Sequence, residues 1–341
     1  MVPFAGWEMP IQYASVIQEN KAVREAAGMF DVSHMARLVL KGDRVFEYLE
    51  HITANDVSKL TDNTGQYSLL PNDQGGCVDD IIVYRLEANK YAMVVNASNH
   101  QKDVNWMLKQ NSFGVEIKDE TNETAMIAVQ GPRAVGLLAE HSDAFEEITN
   151  AAMFGVVQAQ IGGVDCMCCR SGYTGEDGYE LICGADEAAT LWHELVELGV
   201  VPCGLASRDA LRVEAGLPLY GHELNDDLSP IAAGLGWVIS KTKSFIGSDI
   251  INRARAEGTP KKLHGIKLDS KRLLSPGMKV YVGGNEVGEV CSGVFSVVLD
   301  CGIGFAFVDS SIPLNTACEV DIRGRMEPAT IVNKRFVKRE K

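Results

Sequence analysis

The sequence predicts an α+β protein of more than one domain, ending in a small all-β unit. Three observations point there. The chain's 341 residues exceed what one small core can use. Helical and strand-like segments do not alternate one for one over the first two thirds. From about Lys261 the texture changes to short strands at even spacing.

The elements follow in order. Met1 to Trp7 reads as the middle of a domain, so either further sequence is expected ahead of it or translation starts unusually close to the fold. Ala14 to Gly28 carries apolar residues at helical spacing and stops at glycine. Ala36–Leu40 is strand-like, and a helix is expected from about Asp43 to Ile52. Tyr67–Leu70, Asp80–Arg85 and Tyr91–Val95 form a meander, with a helix over His100–Lys109 behind it. A strand, Ala125–Val129, leads through Gly-Pro into a helix from Arg133. Val164–Cys169 and Tyr179–Cys183 are short, apolar and β-compatible, the arms of a hairpin. Helices are expected from Ala188 to Leu198 and from Leu205 to Gly216, the second stopped by Gly216 and Pro218. The boundary to the all-β unit falls near Ala254–Pro260. Its strands are Leu263–Leu268, Met278–Val282, Glu286–Cys291, Ile303–Val308, Ala317–Ile322 and Ala329–Val332, with Gly283-Gly284 as a hairpin turn.

Composition excludes several classes of function. Net charge is −14, from 32 basic and 46 acidic residues, which disfavours binding to nucleic acid or to anionic lipid. Basic residues concentrate only in the tail, where Lys334, Arg335, Lys338, Arg339 and Lys341 face one acid, Glu340; it is solvated or docks an acidic partner. Nine cysteines are present, but Cys166, Cys168 and Cys169 share one strand without the spacing of a zinc knuckle. They read as reduced, buried thiols, and no metal is expected. No apolar run is long enough to span a bilayer. A soluble, cytoplasmic protein is the expectation, or a mitochondrial matrix one in a eukaryote.

Two segments carry the chemistry. Arg170–Glu180 places three glycines, two tyrosines and three carboxylates in eleven residues between the hairpin strands. Gly172, Gly175 and Gly178 let the backbone turn and approach a ligand closely. Glu180, on the outgoing strand, suits a flat heterocycle whose adjacent N–H groups its two oxygens can accept. In Gly75–Tyr84 two glycines precede a strand in which Asp80, Ile82 and Tyr84 share one face, and Asp79, Ile81 and Val83 the other. One aspartate must therefore point into apolar surroundings, which is costly unless something positive or donor-rich meets it. A ligand amine there makes a site; a protein arginine makes a structural ion pair. Arg208, near the start of its helix, can fork onto a carboxylate of the protein or of an anionic ligand. Tyr67, Tyr173 and Trp237 offer stacking surface or fill the core. Dinucleotide, nucleoside-triphosphate, serine-hydrolase and zinc-protease motifs are absent.

Taken together, Phe4–Pro10, Phe30–Met35, Gly76–Tyr84, Arg170–Glu180, Arg208–His222 and Gly234–Trp237 resemble, in collinear order over nearly the whole chain, the aminomethyltransferases, the T-proteins of the glycine cleavage system. The resemblance implies a cloverleaf-like arrangement of two ferredoxin-like or Greek-key α+β domains and a C-terminal small β-barrel. Residues 1–255 would be the folate-binding region, two interleaved domains of about 1–40 with 125–255 and 41–124, and 256–341 the all-β domain. It implies transfer of an aminomethyl group's carbon from the dihydrolipoyl arm of a lipoylated H-protein to tetrahydrofolate, the cosubstrate. Ammonia and 5,10-methylenetetrahydrofolate would be the products. Asp80 is then the catalytic candidate. Glu180 and Arg208 would bind the pterin and its neighbourhood, and Met35, Tyr67, Tyr84, Asn96, Tyr173 and Trp237 would line the pocket. A monomer or weak dimer is expected. A related folate-dependent demethylase and a non-catalytic folate-binding accessory protein are the alternatives. The loop Phe295–Gly302 lacks the proline and lysine common in the family, and the tail lacks its tyrosine.

Overall fold

The computed structural model describes residues 1–338. Two sheets pack face to face, each covered by helices on its outer side, and a barrel closes the chain. The first sheet runs in the order Thr64–Pro71, Cys77–Glu87, Lys90–Val95, Ala36–Lys41, Glu116–Asp119, all neighbours antiparallel. The second runs Val156–Ile161, Val164–Cys169, Gly178–Gly184, Thr124–Gln130, Gly28–Asp31, Val201–Pro202, and its last pair is parallel.

Strand alternation assigns the faces. From Cys77–Glu87, Ile81 and Val83 pack outward with Leu49 and Ile52 of helix Val45–Ile52 and Met107 of helix His100–Gln110. Ile82 and Tyr84 face the second sheet, where they join Phe30, Met126, Ala128 and Cys169 in a core between the layers. Helix Leu205–Ala215 is enclosed from two directions. Its Leu211 enters the inter-sheet core, while Ala210 and Val213 pack on Ile303 and Phe305 of the barrel. Gly216 ends it in the left-handed conformation that a glycine cap supplies.

The barrel has six strands: Lys261–Leu268, Cys301–Asp309, Asn285–Ser296, Lys279–Val282, Ala317–Asp321 and Met326–Val332. Val282 pairs with Asn285 across Gly283 and Gly284, both at positive φ, as a type I′ hairpin needs. The strand beginning at Asn285 runs on to Ser296 through an irregularity between Val290 and Ser292, longer than its sequence signal.

Several readings need correction. The first helix spans Val16–Glu25, and Gly28–Asp31 is a strand held by Thr124–Gln130. Ala36–Lys41 pairs with Lys90–Val95 in the five-stranded sheet. Strand Val156–Ile161 and helices Phe145–Asn150 and Ser248–Glu257 had no clear signal. The tail is not a free basic arm: Lys334 is mostly buried and donates to the Ala233 carbonyl at 2.8 Å, and Phe336 stacks on Phe305. Arg339, Glu340 and Lys341 lie outside the described residues. No helix among the described residues is long and apolar enough to cross a membrane.

Candidate active site

The two aspartates of strand Cys77–Glu87 meet no arginine. Asp79, fully buried, accepts at Oδ2 from the Asn96 backbone N–H (2.9 Å) and at Oδ1 from the Asn96 and Asn99 side-chain amides (2.8 and 2.6 Å). Asp80, on the inner face, accepts from the Tyr67 hydroxyl at 2.9 Å and from Asn96 Nδ2 at 2.8 Å. Asn96 therefore clasps both carboxylates and the Asp80 carbonyl, its amide shared among three acceptors. Burial, with the charge of Asp79 added, pushes the Asp80 carboxyl up to about 7, against the pull of its two hydrogen bonds.

Behind Asp79 sits a third acid that sequence reading missed. Asp103 is fully buried in helix His100–Gln110, and neither of its oxygens has a donor. Burial first, and then the charge of Asp79, push it up to about 11, so it keeps its proton beside the Asp79 carboxylate. The available signal was its spacing of four from Met107, which puts a carboxylate on the buried stripe.

Across the layer, Glu180 is 5% exposed and accepts from the Ser171 hydroxyl, which in turn accepts from Tyr84 at 2.9 Å. Burial raises the Glu180 carboxyl, and the Ser171 hydrogen bond and Arg208 partly offset this. Tyr84 is fully enclosed, so it braces Glu180 through Ser171 instead of lining open space. Ser171, a second missed residue, has no distinguishing signal in a Gly/Ser-rich loop. The glycines also differ from expectation. Added Cβ atoms at Gly172 and Gly178 would collide with the Gln130 side chain and the Val129 carbonyl, so these glycines serve packing of the loop on the neighbouring strand.

Arg208 closes the circuit. Its guanidinium lies 4.9 Å from the Tyr173 ring centroid and 6.0 Å from that of Phe30. Nη1 is buried with no partner, and among the described residues no carboxylate comes within ion-pair distance of it. Burial lowers its affinity for a proton, while the charges of Glu180 and Tyr173 act the other way. Burial raises the Tyr173 phenol; of the nearby charges, Arg212 and Arg208 lower it and Asp80 raises it. Asp80, Tyr67, Tyr173, Arg208, Glu180 and Tyr84 thus form one ring of neighbours, with Asp80 and Tyr84 on the same strand face. Met35 is half-buried at the margin of the inter-sheet core. Trp237 stands apart: it is 74% exposed, reached only through its stack on Tyr67 at 6.3 Å.

This arrangement leaves a buried carboxylate, Glu180, with one neutral donor and a half-buried cation, Arg208, with its enclosed Nη1 unpartnered. Both deficits are met by a ligand that presents N–H donors at one edge and acceptor oxygens nearby. Cys166, Cys168 and Cys169 are free and buried, and that burial raises their thiols.

Residues 1–243 match the GCVT N-terminal domain family and residues 261–338 the glycine cleavage T-protein C-terminal barrel domain. Relatives named aminomethyltransferase include that of Deinococcus deserti, 43% identical over 99% of this chain and 93% of the relative. The one from Geobacillus sp. (strain WCH70) is 41% identical, covering 100% and 95%. The crystal structure of glycine cleavage system aminomethyltransferase T from Bartonella henselae superposes with a TM-score of 0.92 at 30% identity, over 99% of this chain and 94% of that one. Both family matches and full-length likeness in sequence and fold agree: the chain belongs to the glycine cleavage T-protein family of aminomethyltransferases.

Proposed function

We propose that the chain moves the carbon of an aminomethyl group from the dihydrolipoyl arm of a lipoylated H-protein to tetrahydrofolate, releasing ammonia and forming 5,10-methylenetetrahydrofolate. The observation that carries this reading is the ring itself: buried Glu180 and half-buried Asp80 and Arg208 are neighbours, none of them in an ion pair among the described residues, and Arg208 Nη1 has no partner. A reduced pterin suits it. Tetrahydrofolate, when bound, supplies the nucleophilic nitrogen that accepts the carbon.

The residues act as follows. Glu180 accepts the adjacent N–H groups of the pterin edge, held in place by Ser171 and Tyr84. Arg208 donates from its unpartnered edge to a ligand oxygen, steadied by Tyr173 beneath it. Met35 and Tyr173 give apolar and aromatic flanks. Tyr67 and Asn96 fix Asp80, so that its charge favours the cationic character arising as carbon leaves sulfur. Asp80 ionises near neutrality and is also placed to relay a proton.

The test is to incubate the protein with aminomethylated H-protein and follow ammonia. Release should depend on tetrahydrofolate and collapse in Asp80→Asn. Release at the same rate without folate, or a folded Asp80→Asn variant of normal turnover, would overturn the reading.

A further inference from the structure

Asp79 lies one residue from Asp80 and has no part in the transfer described above. It is fully buried on the outward face of its strand, beside Asp103 of helix His100–Gln110. Three N–H groups converge on it: the Asn96 backbone at Oδ2, and the Asn96 and Asn99 amides at Oδ1. Both asparagines stand where helical turns begin, Asn96 ahead of Ala97–Asn99 and Asn99 ahead of His100–Gln110, yet neither side chain caps its turn. Their amides are aimed at Asp79 instead.

Alternation sends Asp79 and Asp80 to opposite faces, and one amide still reaches both. Ile82 pairs with Val94, so two residues further along each strand Asn96 lies opposite Asp80, where the ladder ends. From there its Nδ2 donates to Asp79 Oδ1 and to Asp80 Oδ1, each at 2.8 Å. An amide carries two hydrogens at one end and an acceptor at the other. Turned over, Asn96 would present its oxygen to two carboxylates. Asp79 also holds the Asn96 backbone, at 2.9 Å, and so decides which end of the amide faces Asp80.

We propose that Asp79 is a positioning residue of the transfer, a fixed carboxylate behind the strand that orients Asn96 onto Asp80. The proposal rests on the reading of Asp80 given above and adds to it the group that aims Asp80. The titratable groups around the two aspartates are Asp103 and Lys102 from helix His100–Gln110, Cys77 on the same strand, Tyr220 beyond helix Leu205–Ala215, and Tyr67 and Tyr173 toward the ring. Burial keeps Cys77 and the three phenols neutral, and Asp103 holds its proton. Asp79 therefore supplies the negative charge that weighs most on Asp80.

The wild type, Asp79→Asn, Asn96→Ala and the double variant are assayed with aminomethylated H-protein and tetrahydrofolate. In Asp79→Asn the rise of kcat/KM should move to lower pH by on the order of one unit, because the lost charge outweighs the Asn96 hydrogen bond at Asp80. Its plateau kcat should fall about tenfold, less than for loss of a direct electrostatic partner. The Kd for tetrahydrofolate should change by no more than about twofold. In the double variant kcat should fall no further than in Asn96→Ala, since the two residues act through one amide. A merely structural Asp79 would lower the urea midpoint and leave the pH of the rise in place; that result overturns the proposal, as does full additivity of the two substitutions. Should Asp79→Asn not fold, Asn99→Ala loosens Asp79 from the side away from the ring. Its kcat should be about threefold lower with the Kd held, and an unchanged kcat overturns the proposal. A wild type that releases no ammonia in response to tetrahydrofolate removes the transfer reading itself, an outcome distinct from a normal wild-type profile that Asp79→Asn reproduces.

Discussion

Arg208 and Arg212 sit one turn apart on helix Leu205–Ala215, the first half-buried with its Nη1 enclosed and the second buried, and the fold treats them oppositely. Arg212 is 1% exposed and bonds Asp209 at 2.8 Å, Glu223 at 2.9 Å and Ser292 at 2.7 Å. Its neighbour Glu214 is equally saturated, accepting from Asn20, Arg24 and Ser296. Arg208 has aromatic faces and no acceptor. Burial alone therefore does not distinguish a structural ion from a working one. What does is whether the fold completes its hydrogen bonds. Polar groups completed by the protein hold helix, sheets and barrel together; Arg208 Nη1, left short, belongs to the ring with Asp80 and Glu180.

That contrast gives two classes of variant that should separate cleanly, and the largest effect lies on the closed side. Glu223→Ala leaves Arg212 buried without its main counter-charge and should cost about 3–5 kcal/mol of stability, read as a lowered urea midpoint. If stability hardly moves, the closed network is not structural and the comparison fails. Next, Asp80→Asn should lower kcat by about 10²–10³, the scale seen when a preorganised electrostatic partner is removed. Its urea midpoint should hold or rise, because Asp80 is a raised buried acid whose ionisation the fold disfavours. Arg208→Met should then weaken tetrahydrofolate binding by about 1.5–3 kcal/mol, with no loss of folded stability. A large drop in its urea midpoint would make Arg208 a second Arg212.

The closed side was the more legible of the two in sequence. The helix from Leu205 with its Gly216 stop, the meander and the evenly spaced barrel strands are local signals, and each appears close to its expected place. Strand Gly28–Asp31 did not, since nothing nearby distinguishes it from a helix end. Its pairing with Thr124–Gln130, about a hundred residues on, makes it a strand. Asp79 and Asp80 drew notice as carboxylates on a strand with apolar faces and Glu180 as one beside a glycine-rich loop, while the choice of Asp80 came from the resemblance. Ser171 and Asp103 were not, because their importance comes from contacts that only the packed sheets create. Tyr84 was assigned to the pocket wall from resemblance, whereas its ring is sealed between the sheets.

The proton state of the open side offers a finer test. Below a pH of about 7 Asp80 holds its proton, so kcat/KM should climb as pH rises through that value. Tyr67→Phe removes a donor that favours the ionised form. The rise should therefore move to higher pH, on the order of one unit for one hydrogen bond to a charge. An unmoved midpoint would show that the phenol does not act on the carboxylate.

The smallest effect concerns Asp103, which belongs to neither class until its proton is counted. In the folded chain it keeps that proton up to about 11, whereas an unfolded aspartate releases it near 4, as free carboxyls do. Between those values the folded state binds more protons than the unfolded one, so this residue makes stability decline as pH rises. Asp103→Asn keeps the size of the side chain without a titrating proton, and removes the decline. Its urea midpoint should fall less than that of the wild type between about pH 6 and pH 9, with kcat altered by no more than about twofold. If Asp103→Asn and the wild type lose stability in parallel, Asp103 is ionised in the fold, and a third carboxylate joins the open set beside Asp80.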